Sequence, residues 1–187
     1  MGLYVILMGV QGAGKGEQAR FIRETYNIPH ISTGDLFRAM KTREDELARR
    51  IQQIMAEGRL IDDATTNEVV KDRLSQPDAA NGAIFDGYPR TPAQADWLEA
   101  YLADKGERIA TVLLLKLDLY IAFKRAFGRI SHPETGKSYN IYYNAEGIEW
   151  QFVDHPEKAF PPRLKAVEQG SGQELLRRPD DGSADAV

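Results

Sequence analysis

The stretch Gly9-Val10-Gln11-Gly12-Ala13-Gly14-Lys15-Gly16-Glu17 matches the spacing G-x-x-x-x-G-K and is the most chemically specific segment of this chain. Glycines let backbone N–H groups close on a phosphate with no Cβ in the way. A helix start behind them adds the positive end of its dipole, and a lysine ammonium reaches the terminal phosphates. The apolar run Leu3 to Met8 supplies the strand before the loop, and a helical pattern from Lys15 onward supplies the helix after it. The full motif places Ser or Thr after the lysine, on magnesium. Gly16 stands there instead, so magnesium would be held mainly by phosphates and water.

Glu17 is the anomaly. A carboxylate about 5 Å from a phosphate charge, at an effective dielectric near 20, weakens binding by about a hundredfold. At the start of a helix the same charge favours the fold slightly. Glu17 is therefore expected to help the free protein and oppose the phosphate.

Two further segments bring cations toward the same chemistry. Ile31-Ser32-Thr33-Gly34-Asp35-Leu36-Phe37-Arg38 ends one apolar run, and Asp86-Gly87-Tyr88-Pro89-Arg90-Thr91 ends another. Open α/β sheets bind ligands at the carboxyl ends of their parallel strands. Arg38 and Arg90 are thus expected at the edge that carries Lys15, where guanidinium forks match phosphate oxygens.

These groups need a scaffold, and short apolar runs between helices imply a parallel sheet covered on both faces with right-handed crossovers. Strands are expected at 3–8, 30–32, 83–86 and 111–115, and helices at 15–26, 33–40, 44–57, 64–75, 92–105 and 119–129. Gly58, Pro77 and Gly106 punctuate helix ends. From Gly128 the chain turns rich in proline, tyrosine and turn pairs, which reads as a short-stranded subdomain with a small aromatic core. Residues 182–187 read as a disordered tail.

Composition narrows the class. The chain has 187 residues, 42% of them hydrophobic, and a formal net charge of -4. That supports one α/β core with appendages and disfavours nucleic acid or an anionic membrane as partner. No cysteine is present, which excludes disulfides, thiolate zinc sites and cysteine nucleophiles and fits a reducing, cytoplasmic setting. The six-residue apolar run at the N-terminus is too short for a membrane span and has no basic lead-in for a signal peptide.

Taken together, G-x-x-G-x-G-K-G, I-S-T-G-D-L-x-R, D-G-Y-P-R-T with Gln94 following, K-R-A-F-G-R and H-P-E-T-G-K-S-Y resemble the adenylate kinases, within the nucleoside-monophosphate kinases. The resemblance implies a P-loop three-layer α/β/α fold with a central parallel sheet. Residues 1–127 would form the core with a helical AMP-binding insertion at 32–61, and 128–181 a mobile lid. It implies transfer of the terminal phosphate of ATP to AMP, giving two ADP, with Mg2+ arriving with ATP.

By position, Gly12, Ala13, Gly14, Lys15, Gly16 and Glu17 would surround the donor phosphates, with Arg125, Arg129, Ser138 and Tyr139 on the donor nucleotide. Thr33, Arg38, Arg59, Leu60, Ile61, Gly87, Tyr88, Pro89, Arg90, Gln94 and Arg178 would line the AMP site. Lys15, Arg90, Arg129 and Arg178 would carry catalysis, and Asp86 would hold magnesium-bound waters. Lacking cysteine, the lid resembles the hydrogen-bonded type rather than the zinc type, with His132, Thr135, Glu168 and Ser171 at the corners.

Two departures count against full activity: Glu17, and an ending at Val187 before the final strand and helices of the family pattern. A core without that strand would expose apolar surface and favour self-association in a family that is usually monomeric. A nucleotide-binding variant without turnover and a GTP-using AMP kinase are the competing readings.

Overall fold

The computed structural model describes residues 1–57, 59–153 and 163–177. The chain divides into two compact units. One comprises Met1–Met8 and Lys15–Leu115; the other comprises Gly9–Gly14 and Lys116–Val187.

In the first unit, β1 (Leu3–Met8), β2 (His30–Ser32), β3 (Gly82–Asp86) and β4 (Ile109–Leu114) form a four-stranded sheet in the order β2-β3-β1-β4. All pairings are parallel, with Leu7 opposite Asp86 and Ser32 opposite Asp86 across the two ladders. Parallel neighbours need crossovers, which are supplied by α1 (Lys15–Tyr26), α2 (Thr33–Met40), α3 (Glu46–Ala56), α4 (Asp63–Leu74) and α5 (Pro92–Ala103). Buried side chains cover both faces of β1 and β3. Tyr4, Ile6, Phe85, Leu98 and Leu102 pack in one cluster, and Val5, Leu7, Ala19, Ile28 and Ile84 in another.

Caps move the helix ends by one or two residues from those read in the sequence. The side chain of Asp45 accepts from Ala48 N, so α3 begins at Glu46 rather than 44, and Asp62 accepts from Thr65 N, so α4 begins at Asp63. β4 starts two residues earlier than expected, at Ile109. Its exposure departs from the sequence reading more than its length does. A strand with cover on both faces should be buried, yet Val112, Leu113 and Leu114 are 50%, 41% and 58% exposed.

The second unit contains α6 (Leu119–Phe127), capped by the Asp118 carboxylate, and two antiparallel pairs. These are β5 (Arg129–Ser131) with β6 (Ser138–Asn140), and β7 (Ile148–Val153) with β8 (Arg163–Glu168). α6 stops at Phe127, before the expected 129, because Arg129 is already paired with Asn140 in the β5–β6 ladder. The small core is mainly aliphatic: Ile130, Ile141, Ile148, Ala166 and Leu175 with Tyr139. Trp150, Phe152, Tyr142 and Tyr143 remain at the surface, contrary to the aromatic core expected. A two-stranded ribbon covers one face only, and β7 turns Trp150 and Phe152 outward. The proposed tail at 182–187 and the helix-ending Gly58 lie outside the described residues.

Candidate functional site

In the first unit the site grows from two consecutive residues at the carboxyl end of β3. Asp86 Oδ1 lies 3.8 Å from Lys15 Nζ, and Oδ2 lies 3.3 Å from His30 Nε2 on the neighbouring strand. Gly87, next in the chain, offers its carbonyl oxygen to the Thr33 hydroxyl at 2.8 Å and to Arg90 Nε at 2.7 Å. Gly87 has φ of 72°, and a Cβ there would stand 2.9 Å from Arg90 Nη2 and 3.2 Å from Thr33 Oγ1. Glycine is thus required both by the backbone conformation and by the packing of the two groups it holds. Lys15, Thr33 and Arg90 are brought together as expected of residues at strand ends.

Arg38 follows one helical turn further along α2, where Nη2 donates to Asp35 Oδ1 at 2.6 Å. Ser32, the N-cap of α2, accepts from Asp35 N. The Tyr88 ring is 1% exposed within the core, and its hydroxyl donates to Asn67 Oδ1 at 2.6 Å, so only its backbone is open to the strand-end cluster. Burial, with the nearby Asp63 charge second, pushes the phenol well above its usual range, so it stays neutral. Gln94 is likewise buried. Its Oε1 accepts from Arg90 N at 2.8 Å, and its Nε2 donates to Asp63 Oδ1 at 2.6 Å.

Arg59 is paired with Glu57, Leu60 is 95% exposed, and Ile61 packs beside Met40 and Ile51. A cleft of ≈ 480 Å³ between α3 and α4 includes Arg50, Arg59, Thr65 and Glu68. None of Thr33, Arg38, Gly87 or Arg90 lines it, and Arg50 is paired with Glu68. The cleft is therefore charge-balanced and separate from the strand-end cluster.

Glu17 occupies the third position of α1, and its carboxylate is engaged by Arg20 at 2.6 Å. This partner, spaced i+3, is legible in the sequence and offsets part of the charge that Glu17 brings to the helix start. The hydrogen bond from Arg20 holds the Glu17 carboxyl below its usual range. Gly16 has no atom within 4 Å of where a Cβ would stand. Asp63 and His30 are two more residues that sequence reasoning passed over. Asp63 follows a helix-capping aspartate, and His30 sits two residues before the strand-end serine.

In the second unit Gly12 has φ of 83°, and a Cβ on it would fall 2.4 Å from the carbonyl oxygen of Ala122 on α6 and 3.2 Å from Arg125 Cβ. The loop and α6 therefore touch backbone to backbone, a contact only glycine permits. Asn140 Nδ2 donates to the Arg125 carbonyl at 2.9 Å and so ties the end of α6 to β6. Arg129 opens β5, and Ser138 and Tyr139 lie opposite Ser131 and Ile130. Tyr139 is buried, with its hydroxyl donating to Glu168 Oε1 at 2.7 Å.

Of the four expected lid corners, three converge. Ser171 Oγ donates to Glu168 Oε2 at 2.8 Å, and His132 Nε2 lies 3.8 Å from the same oxygen. Thr135 contributes through its backbone N–H, which with that of Glu134 donates to His132 Nδ1. Arg178 lies outside the described residues.

Comparison with known proteins gives a consistent picture. A family model described as adenylate kinase matches residues 7–173. A protein named adenylate kinase from Anaeromyxobacter sp. (strain Fw109-5) is 48% identical over 179 residues, covering 96% of this chain and 76% of the relative. Relatives of the same name from Listeria innocua and Shouchella clausii are each 40% identical over 177 residues. They cover 95% of this chain, and 75% and 74% of their own length respectively.

Proposed function

This chain belongs to the adenylate kinase family, and from that premise we propose how its own residues carry reversible transfer of the terminal phosphoryl group of ATP to AMP, giving two ADP. The observation that carries the reading is the Asp86-Gly87 pair. One dipeptide tethers Lys15 through its carboxylate and Arg90 with Thr33 through its carbonyl. A lysine and an arginine fixed within a few ångströms of one strand end suit two phosphate groups that must meet in line.

Phosphoryl transfer asks little covalent chemistry of the protein. A phosphate oxygen of AMP attacks the terminal phosphorus of ATP, and the bond from that phosphorus to the bridging oxygen breaks, leaving ADP. Lys15 follows the moving group. Thr33, Arg38 and Arg90 hold the acceptor phosphate and ribose, with Gly87, Pro89 and the backbone of Tyr88 forming the wall beside them. Gln94 acts through Arg90. Arg59, Leu60 and Ile61 are assigned to the adenine of AMP, and Arg178 to the phosphates. Gly12, Ala13, Gly14, Gly16, Arg125, Arg129, Ser138 and Tyr139 are assigned to the donor nucleotide. We take 1–127 as the core with its 32–61 insertion and 128–181 as the lid.

Magnesium fits the residues present through water rather than directly. The Asp86 carboxylate is one group, already facing two cationic or hydrogen-bonding partners, and no cluster of three or more His, Cys, Asp or Glu able to hold an ion occurs among the described residues. The ion would neutralise charge on the donor phosphates. No helix among the described residues is long and apolar enough to cross a membrane. We place the protein in the cytoplasm.

The relatives' name does not favour either a GTP-using AMP kinase or a binding protein without turnover. A coupled assay with ATP plus AMP tests the proposal. ADP should form, and Lys15→Ala and Arg90→Ala should each slow it by on the order of a thousandfold. A folded protein that binds neither nucleotide, or variants as fast as the parent, would overturn the reading.

A further inference from the structure

A carboxylate at the third position of a helix has a natural target one turn back, the open N–H groups of the first turn. Helical side chains lean toward the N-terminus, which brings that target within reach. On the reading above, these are the groups that receive donor phosphate. Left to itself, Glu17 would compete for the place ATP must occupy.

The structure shows the side chain turned the other way. Glu17 Oε1 accepts from Arg20 Nη2 at 2.6 Å and Oε2 from Nε at 3.4 Å. Arg20 is itself anchored from the far side, with Nη1 donating to Glu24 Oε1 and Oε2 at 3.1 and 3.2 Å. Its guanidinium carbon also lies 4.4 Å from the centre of the Phe21 ring. One planar fork thus bridges carboxylates three residues before it and four after it. The fork geometry matters, because a point charge would not fix the direction of the Glu17 carboxylate. Neutralisation by protonation is not an escape from the repulsion either, since the same hydrogen bond favours the ionised form.

We propose that Arg20 is a positioning residue for the donor nucleotide: it draws the Glu17 carboxylate away from the first-turn amides of α1 and so makes a carboxylate tolerable beside the phosphate site. The inference rests on the assignment of Lys15 and its loop to ATP. It also changes the expectation drawn from the sequence. The penalty of Glu17 is largely offset in the parent protein and appears only when Arg20 is removed.

The test is a double-mutant cycle in the full chain, read by calorimetric titration with ATP and separately with AMP, and by steady-state kinetics. Arg20→Ala should weaken ATP binding by about tenfold and raise KM for ATP, with kcat and AMP affinity nearly unchanged. Glu17→Thr should bind ATP within about threefold of the parent, and the double variant should match Glu17→Thr. Arg20→Lys should restore part of the loss, because it returns the charge without the fork. The Arg20→Ala defect should deepen at low salt.

Equal ATP affinity for the parent and Arg20→Ala would overturn the inference alone. So would an equal loss on removing Arg20 in the Glu17→Thr background, which would mean that Arg20 acts on nucleotide or fold directly. Absence of ATP binding in the parent and in Glu17→Thr alike would overturn the assignment of Lys15, and this inference with it.

Discussion

Gln94 donates to Asp63 across 2.6 Å while the other end of its amide accepts from the backbone of Arg90. Both ends of the side chain are therefore engaged as a tie between the start of α4, the start of α5 and the arginine proposed to hold acceptor phosphate. Asp63 is shared with the Thr91 hydroxyl at 2.9 Å, and Thr91 in turn caps α5. Gln94→Leu cuts both links while keeping volume. It should destabilise the fold by about 1–3 kcal/mol, since Asp63 and the Arg90 N–H lose partners. KM for AMP should rise about tenfold with a smaller change in kcat. Urea unfolding and initial rates at varied AMP measure the two effects; an unchanged KM would show that Arg90 keeps its place unaided.

Two glycines separate structural from ligand-driven requirements. Gly87→Ala puts a methyl 2.9 Å from Arg90 Nη2 on a backbone with φ of 72° and should cost roughly 1–2 kcal/mol of stability even without nucleotide. Gly16→Ala meets no atom within 4 Å and sits within α1, so the free protein should be as stable or more stable by about 0.5–1 kcal/mol. ATP affinity should nonetheless fall at least tenfold, because the methyl would stand where the donor phosphate approaches. Thermal unfolding with and without ATP distinguishes the cases. A Gly16→Ala protein that binds ATP normally would place the phosphate elsewhere.

Glu168 gives the second unit an acid limit. Hydroxyl donors from Tyr139 and then Ser171 hold its carboxyl below the usual range. A group depressed in the folded state contributes stability above its unfolded value, and that contribution disappears as pH falls through the folded one. Unfolding followed between about pH 7 and pH 3 should therefore show a loss of stability on the acid side of the ordinary carboxylate range. Glu168→Gln should start less stable at neutral pH and show a shallower loss. Parallel pH curves for the two proteins would assign the acid limit to other groups.

The strand-end cluster was readable because turn chemistry and motif spacing are local. Lys15, Thr33, Gly87 and Arg90 each sit at a fixed offset from an apolar run, and parallel register brings the ends of β1, β2 and β3 level. The protein partners of Gln94 and Tyr88 are not legible in the sequence because side-chain destination depends on long-range packing. Asp63 and Asn67, which engage them, lie 31 and 21 residues away in sequence. Helix starts differ where an aspartate near the expected start captures a backbone N–H, as Asp45 does for Ala48. For Glu17 the sequence reading weighs phosphate and helix dipole but not the i+3 neighbour Arg20, which is legible in the sequence.

β4 is an edge of the four-stranded sheet, and its exposure on both sides of the pleat departs from the burial usual for a parallel strand. Val112 and Leu114 alternate with Leu113, so among the described residues both faces of this strand are partly open, and an open edge invites pairing with another chain. Self-association in solution is the expected consequence. It should grow with protein concentration in light scattering after size exclusion. Val112→Lys should reduce it by setting a charge on the open face, with little cost to the fold because the residue is half exposed already. The hydrogen bond from Leu115 N to Met8 O at 2.8 Å, which holds the end of β4 against β1, should persist in the variant. A parent protein that stays monomeric at high concentration, with the same profile as Val112→Lys, would show that the exposed edge is tolerated without a partner.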